Sequence, residues 1–252
     1  MKKILGLSFF IIFILAEASL ATDSPEELYR SGNSSYENGD YEKAVSFYEE
    51  LINIDRVNPE VYYNLGNSYF KLKKIGKSIL NYERALKMDP RDVDTQLNLK
   101  LSRAMVVDKI YISDRGFVLN ILLFLYDKVT INELSLACSF IYLAIILILM
   151  LSIFFVAKRN FMFYTTSVFG AVFIVLFIFL FTKIRNENFT KIGIIVTEKA
   201  DTRSGPKEDY LLQFTLHEGT KVGIVKEAQG WYEIELSKDL KGWVPKTSVD
   251  II

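Results

Sequence analysis

The sequence has one cysteine and one histidine in 252 residues, and no excess charge of either sign: 30 lysines and arginines face 30 aspartates and glutamates. Each scarcity excludes a class. A lone cysteine, Cys138, cannot build the paired framework of a disulfide-stapled secreted domain. Together with His217 it cannot assemble a metal cluster or a nucleophilic triad, so no catalytic residue, metal or cofactor is expected and the chain reads as a non-enzyme. A balanced charge lacks the basic excess of a nucleic-acid binder. At 50% hydrophobic the chain is too apolar for a disordered tail. A mean hydropathy of +0.20 beside 24% charged residues implies that the apolar residues are concentrated rather than spread.

They form three blocks. Ile4 to Ala16 follows Lys2 and Lys3 and ends in small residues, the pattern of a secretory signal with cleavage after Ala21. An uncleaved N-terminal anchor is the other reading. No cysteine follows, which excludes lipoprotein processing. Leu134 to Ala157 and Phe161 to Thr182 are free of charge, and at 1.5 Å per residue each can cross a hydrocarbon core of about 30 Å. Only residues 158–160 separate them, so a transmembrane hairpin with a tight turn is expected. Lys2, Lys3, Lys158 and Arg159 place the chain start and the turn in the cytoplasm. The parts before and after the hairpin then lie outside it, the expected location being a bacterial inner membrane with both folded domains on the periplasmic side. Lys183 and Arg185, on that outer side, run against the rule. In the linker 108–133, residues 116–126 are apolar but too short to span, and are read as a helix lying at the membrane surface or, alternatively, packed on the preceding domain.

Residues 22–107 repeat themselves. A shift of 34 aligns Pro25 with Pro59, Glu26 with Glu60, Tyr29 with Tyr63, Gly32 with Gly66 and Asn33 with Asn67; it also aligns Ser34 with Ser68, Lys43 with Lys77, Tyr48 with Tyr82, Glu49 with Glu83 and Asp55 with Asp89. That period and its pattern of large, small and breaking residues resemble the tetratricopeptide repeat. Two copies are expected, near 25–58 and 59–92, with a closing helix at 93–107 in which Asn98-Leu99 echoes Asn64-Leu65. Ser24-Pro25-Glu26-Glu27 reads as a capping box. The resemblance implies a partner-binding groove lined by Tyr29, Asn33, Tyr36, Tyr63, Asn67 and Phe70, the asparagines placed to bond a peptide backbone. The carboxylate clamp of some relatives is not implied, because Tyr29, Leu97 and Leu101 stand where its basic residues would be. The other reading of the tyrosines is packing alone. Gly76-Lys77-Ser78 ends like a phosphate-binding loop, but Lys71 stands where that pattern needs glycine.

Residues 190–252 show short apolar runs at 194–196, 211–216, 221–226, 231–236, 242–245 and 249–252, separated by turns. The order Arg203-Ser204-Gly205-Pro206, Gly219-Thr220, Trp231 and Gly242-Trp243-Val244-Pro245 resembles the bacterial SH3-like domain, which implies an all-β small barrel. Trp231 and Trp243 then either line a groove for a peptide or cell-wall fragment or fill the core.

The expected fold class is thus a multidomain membrane protein: α-helical tetratricopeptide repeats, a transmembrane helix hairpin and an SH3-like barrel. This architecture resembles the BatE-type membrane proteins of the Bat (Bacteroides aerotolerance) group. The resemblance implies a scaffold for protein partners, von Willebrand A-domain Bat proteins and a MoxR-type ATPase, in an aerotolerance or stress-related complex. The alternative is a peptidoglycan sensor or tether acting through the SH3-like domain. A transporter is disfavoured because the two apolar blocks hold no ionisable residue.

Overall fold

A computed structural model describes residues 24–109, 116–189, 191–237 and 240–252. The expected signal peptide lies outside the described residues. The chain forms two compact units that meet between Val57 and Asn58.

The first unit is a helical pair, α1 (Pro25–Glu37) and α2 (Tyr41–Asn53). The capping box forms: the Glu27 N–H donates to Ser24 Oγ at 3.2 Å and the Ser24 N–H to Glu27 Oε2 at 3.0 Å. This satisfies two donors that an isolated helix start would leave open. Gly39, at φ +79°, makes the turn, and Asp40 caps α2. Leu28 and Gly32 of α1 and Ala44, Val45, Tyr48 and Leu51 of α2 are buried. A Cβ on Gly32 would lie 2.7 Å from Tyr48 Cε1, so glycine is what lets the tyrosine ring lie flat on the helix.

The second unit opens with the same construction. Helices α3 (Pro59–Lys71) and α4 (Ile75–Met88) pair through Gly66 and Tyr82, where an added Cβ would again meet the ring at 2.7 Å. The closing helix α5 (Val93–Ala104) ends three residues before the expected Val107, and residues 105–109 cross toward the C-terminal sheet. The apolar segment after it is α6 (Phe117–Lys128).

Two helices long and apolar enough to cross a membrane follow, α7 (Ile131–Phe154) and α8 (Arg159–Phe189), joined by one 3-10 turn at Val156–Lys158. The apolar helices end and begin earlier around the turn than expected, at Phe154 and Arg159, and α7 starts early for a local cause. Thr130 and Glu133 form a second capping box, which starts α7 three residues early. The polar stretch after Thr182 continues α8 by seven residues.

The C-terminal part is one antiparallel sheet of seven strands: β1 (Lys191–Ile195), β2 (Lys199–Arg203), β3 (Leu212–His217), β4 (Lys221–Ala228), β5 (Trp231–Ser237), β6 (Leu240–Pro245) and β7 (Val249–Ile251). The strand order is β3-β2-β6-β5-β4-β1-β7. The expected closure into a barrel is not seen among the described residues, because β3 and β7 are the two unpaired ends. Strand β2 was not anticipated: its inward residues are Ala200 and Thr202, too small to give an apolar alternation.

The second unit has two cores. Ile195, Ala200, Leu216, Val222, Ile234, Val244 and Val249 fill the sheet. The other core runs through Ile75, Ile79, Leu80, Tyr82 and Leu99 of the repeat helices into Ile194 of β1, with Val196 and Ile252 against it. The second repeat, ending at residue 92, and the sheet, beginning at Lys191, therefore share buried surface.

Candidate functional site

In each repeat the groove asparagine is held from below by the buried tyrosine. Tyr48 donates its hydroxyl to Asn33 Oδ1 at 2.6 Å, and Tyr82 donates to Asn67 Oδ1 at 2.6 Å. Asn98 Nδ2 adds donations to Asn67 Oδ1 at 3.0 Å and to the Tyr63 hydroxyl at 3.3 Å. The carboxamide oxygens thus fix the helix pairs internally, a role that the sequence reading assigned to a peptide ligand. Ring contacts extend each set: Tyr29 to Tyr48 at 6.3 Å and Tyr36 to Tyr41 at 5.3 Å in the first unit, Tyr63 to Tyr82 at 6.1 Å in the second. All six expected groove residues, Phe70 included, are half-buried.

Helix α5 adds an apolar stripe to this face in the second unit. The repeat offset carries Tyr63 to Leu97 and Asn67 to Leu101, and these leucines are 54% and 52% exposed. Val93 and Met105, spaced four residues either side, are exposed as well. The signal lay in the sequence, since residues four apart share a helix face.

Trp231 and Trp243 are half-buried and stand outside the core of the sheet. Trp231 pairs with Pro245, and Trp243 with both Glu233 and Arg203. Their neighbours Tyr232, Ile234 and Val244 point inward, so the alternation of a strand puts both tryptophans on the outer face as diagonal neighbours.

The joint between repeat and sheet was invisible in sequence. Helix α4 has Lys74 at its N-cap and no side-chain cap of its own; Glu218 of the sheet supplies one, accepting the Gly76 N–H at 3.2 Å. A Cβ on Gly76 would overlap the Ile195 carbonyl oxygen, so this glycine is a point of close backbone approach rather than a remnant of a phosphate loop. Arg84 Nη2 donates to the Ile251 carbonyl at 2.6 Å. Glu83, 13% exposed, is clamped between Arg103 and Lys221. Burial alone would raise its carboxyl, but the two cations outweigh burial and hold it below its ordinary value.

His217 ends β3 and is bonded to Asp108. Cys138 is buried within α7. Among the described residues no group of three or more His, Cys, Asp or Glu side chains is placed to hold a metal.

Family models match a TPR repeat over residues 32–73 and a tetratricopeptide repeat over residues 59–92. Among solved structures the chain is similar to the TPR domain of Arabidopsis OM64, at 24% identity over 32% of this chain and 68% of that one, with a TM-score of 0.31. No curated protein matches the chain. The protein thus carries tetratricopeptide repeats, a module of protein–protein interaction, followed by two long apolar helices and an antiparallel sheet.

Proposed function

We propose that this protein is a membrane-anchored, non-enzymatic scaffold that holds a protein partner on its repeat face outside the cytoplasm. The observation that carries the reading is the repeat array itself, matched over residues 32–92, with an apolar stripe exposed on α5 beside Tyr63. Exposed leucines on a rigid helix favour an apolar side chain of a partner peptide or helix.

The anchor is the helix pair α7–α8. Phe140 and Ile153 are 70% and 74% exposed, and such apolar exposure continues along both helices. Water would oppose that exposure and lipid would not. The joint core requires that residues 58–109 and 191–252 lie on the same side of a membrane, which two crossings satisfy. Lys183, one of the two residues that run against the charge rule, has a local role: its ammonium donates to the Tyr126 carbonyl at 2.9 Å and to that of Val129, closing the end of α6. This supports the periplasmic orientation set by the other charges. The finer reading is a BatE-type component that brings von Willebrand A-domain proteins and a MoxR-type ATPase complex together.

The test uses residues that do not hold the fold. Leu97→Ser with Leu101→Ser should remove partners that co-purify from solubilised membranes while leaving thermal unfolding unchanged. An unchanged set of partners would overturn the scaffold reading.

A second reading has its own observation, the two tryptophans on the outer face of the seven-stranded sheet. In it the sheet binds peptidoglycan. Full-length protein should then sediment with purified wall material, and Trp231→Ala with Trp243→Ala should abolish this. The isolated sheet is unsuitable, because it would expose Ile194 and the rest of the shared core.

A further inference from the structure

A cleft of roughly 350 Å³ opens where the ends of α6, α7 and α8 meet the second repeat and the sheet. Its walls are of two kinds. Leu86, Pro90, Ile131, Ile192, Ile251 and Ile252 make it apolar. Lys87, Lys183, Lys191 and Lys221 bring four ammonium groups, against the carboxylates of Glu83 and Asp127. Glu83 is already shared by Lys221 and Arg103, so its charge is spent inside the fold. Lys183 is held by the carbonyls of Tyr126 and Val129, within the cleft wall. Among the described side chains, neither Lys87 nor Lys191 has a carboxylate within ion-pair distance, and both are exposed. The cleft is therefore positive, half apolar, and set at the level where apolar helix gives way to polar surface.

We propose that this cleft binds the phosphate head of an anionic phospholipid, in the leaflet that adjoins the folded domain. The inference rests on the reading of α7–α8 as membrane spans. An ammonium pair recognises a phosphate by charge and by hydrogen bonds. The apolar wall takes the glycerol and the first methylenes of the chains. A zwitterionic head would bring its own cation toward Lys87 and Lys191 and is disfavoured. Bound there, the lipid bridges the repeat (Lys87), the sheet (Lys191) and the spans (Ile131), and so fixes the folded domain at a set height on the membrane.

The test counts lipids retained by the purified full-length protein in detergent, by native mass spectrometry, with phosphatidylglycerol, phosphatidylcholine and soluble glycerol phosphate as probes. Wild type should retain phosphatidylglycerol in preference to phosphatidylcholine. Lys87→Gln with Lys191→Gln should weaken that retention by about fivefold per lysine. Asp127→Asn, which removes a negative wall, should strengthen it. Equal retention of the two lipids, or a double variant that behaves as wild type, would overturn the proposal. Displacement of the lipid by glycerol phosphate at similar concentration would also overturn it, as the site would then serve a free phosphate. Alkaline carbonate extraction separates the two levels. A protein that stays with the membrane but shows no lipid preference loses only the cleft, whereas one that is extracted loses the membrane reading and the cleft with it.

Discussion

Asp108 accepts the backbone N–H of His217 at 2.7 Å through Oδ2, while its Oδ1 lies 3.0 Å from Nδ1 of the same residue. The Thr220 hydroxyl donates to Oδ2 as well, at 2.7 Å. One carboxylate thus ties the segment after α5 to the β3–β4 turn, 109 residues further on. Burial would raise this carboxyl, but the donations from His217 and Thr220 outweigh it and hold it below its ordinary value of 3.8.

The clasp predicts both a mutational and a pH effect. Asp108→Ala leaves partly buried donors without an acceptor and should cost about 1–3 kcal/mol. A carboxyl lowered in the folded state contributes stability above its unfolded value and loses it as pH falls through the folded one. Amide exchange at residues 217–220 should therefore accelerate below about pH 4 in the wild type. In Asp108→Ala it should be fast already at neutral pH, with no acid step from this group. Wild-type protection in the variant would show that the apolar core alone holds the joint.

The glycines of the repeat predict a contrast. Gly66→Ala drives a methyl to within 2.7 Å of Tyr82 Cε1, displacing the ring and its bond to Asn67. Overpacking of this kind costs typically 1–3 kcal/mol, about the same as at Gly32 against Tyr48. Gly170, in the middle of α8, has open space where its Cβ would stand. Gly170→Ala should leave the thermal midpoint of the detergent-solubilised protein unchanged or slightly raised, while Gly66→Ala lowers it.

The legibility of the chain divides along the same lines. Gly32 with Tyr48 and Gly66 with Tyr82 recur at a period of 34, and that recurrence announced the helix pairs and their small-against-large packing. The capping box at Ser24 and Glu27 could be read because both partners sit within one turn. The joint could not. Gly76, Asp108, Glu218 and Arg84 are single residues separated by up to 167 positions from their partners, and no local pattern marks them. Asn33 and Asn67 stand out in sequence by their repeat spacing, but which way a carboxamide bonds depends on a tyrosine 15 residues away. The helical continuation past Thr182 had no signal in the apolar pattern, because it is supported from outside, by the carbonyls of Tyr126 and Val129 that hold Lys183.

Gly76 and Glu218 make the joint separable from the repeat. Gly76→Ala places a methyl on the Ile195 carbonyl and 3.1 Å from the Gly219 nitrogen, backbone on both sides, where nothing can yield cheaply. Glu218→Gln keeps the shape and weakens the charge at the α4 N-terminus, at a cost of a few tenths to about 1 kcal/mol. Gly76→Ala should thus release β1 and the β3–β4 turn in amide exchange while α1 and α2 keep their protection. Equal loss in α1 and α2 would mean that the two units unfold as one.

Topology gives the last prediction, and it follows from packing rather than from hydropathy. Because Ile194 is buried among Ile75, Ile79 and Leu99, the second repeat and the sheet cannot lie on opposite faces of a bilayer. In a Cys138→Ser background, single cysteines at the exposed positions Lys71 and Lys207 should react alike with a membrane-impermeant thiol reagent on intact cells. A cysteine at Arg159, beside the turn between α7 and α8, should behave oppositely. If Lys71 and Lys207 report outside and Arg159 inside, the periplasmic assignment holds. Lys71 and Lys207 both inside would invert the orientation and keep the hairpin. Opposite labelling of Lys71 and Lys207 would contradict the shared core itself, since no number of crossings between residues 109 and 191 could then leave Ile194 packed on α4.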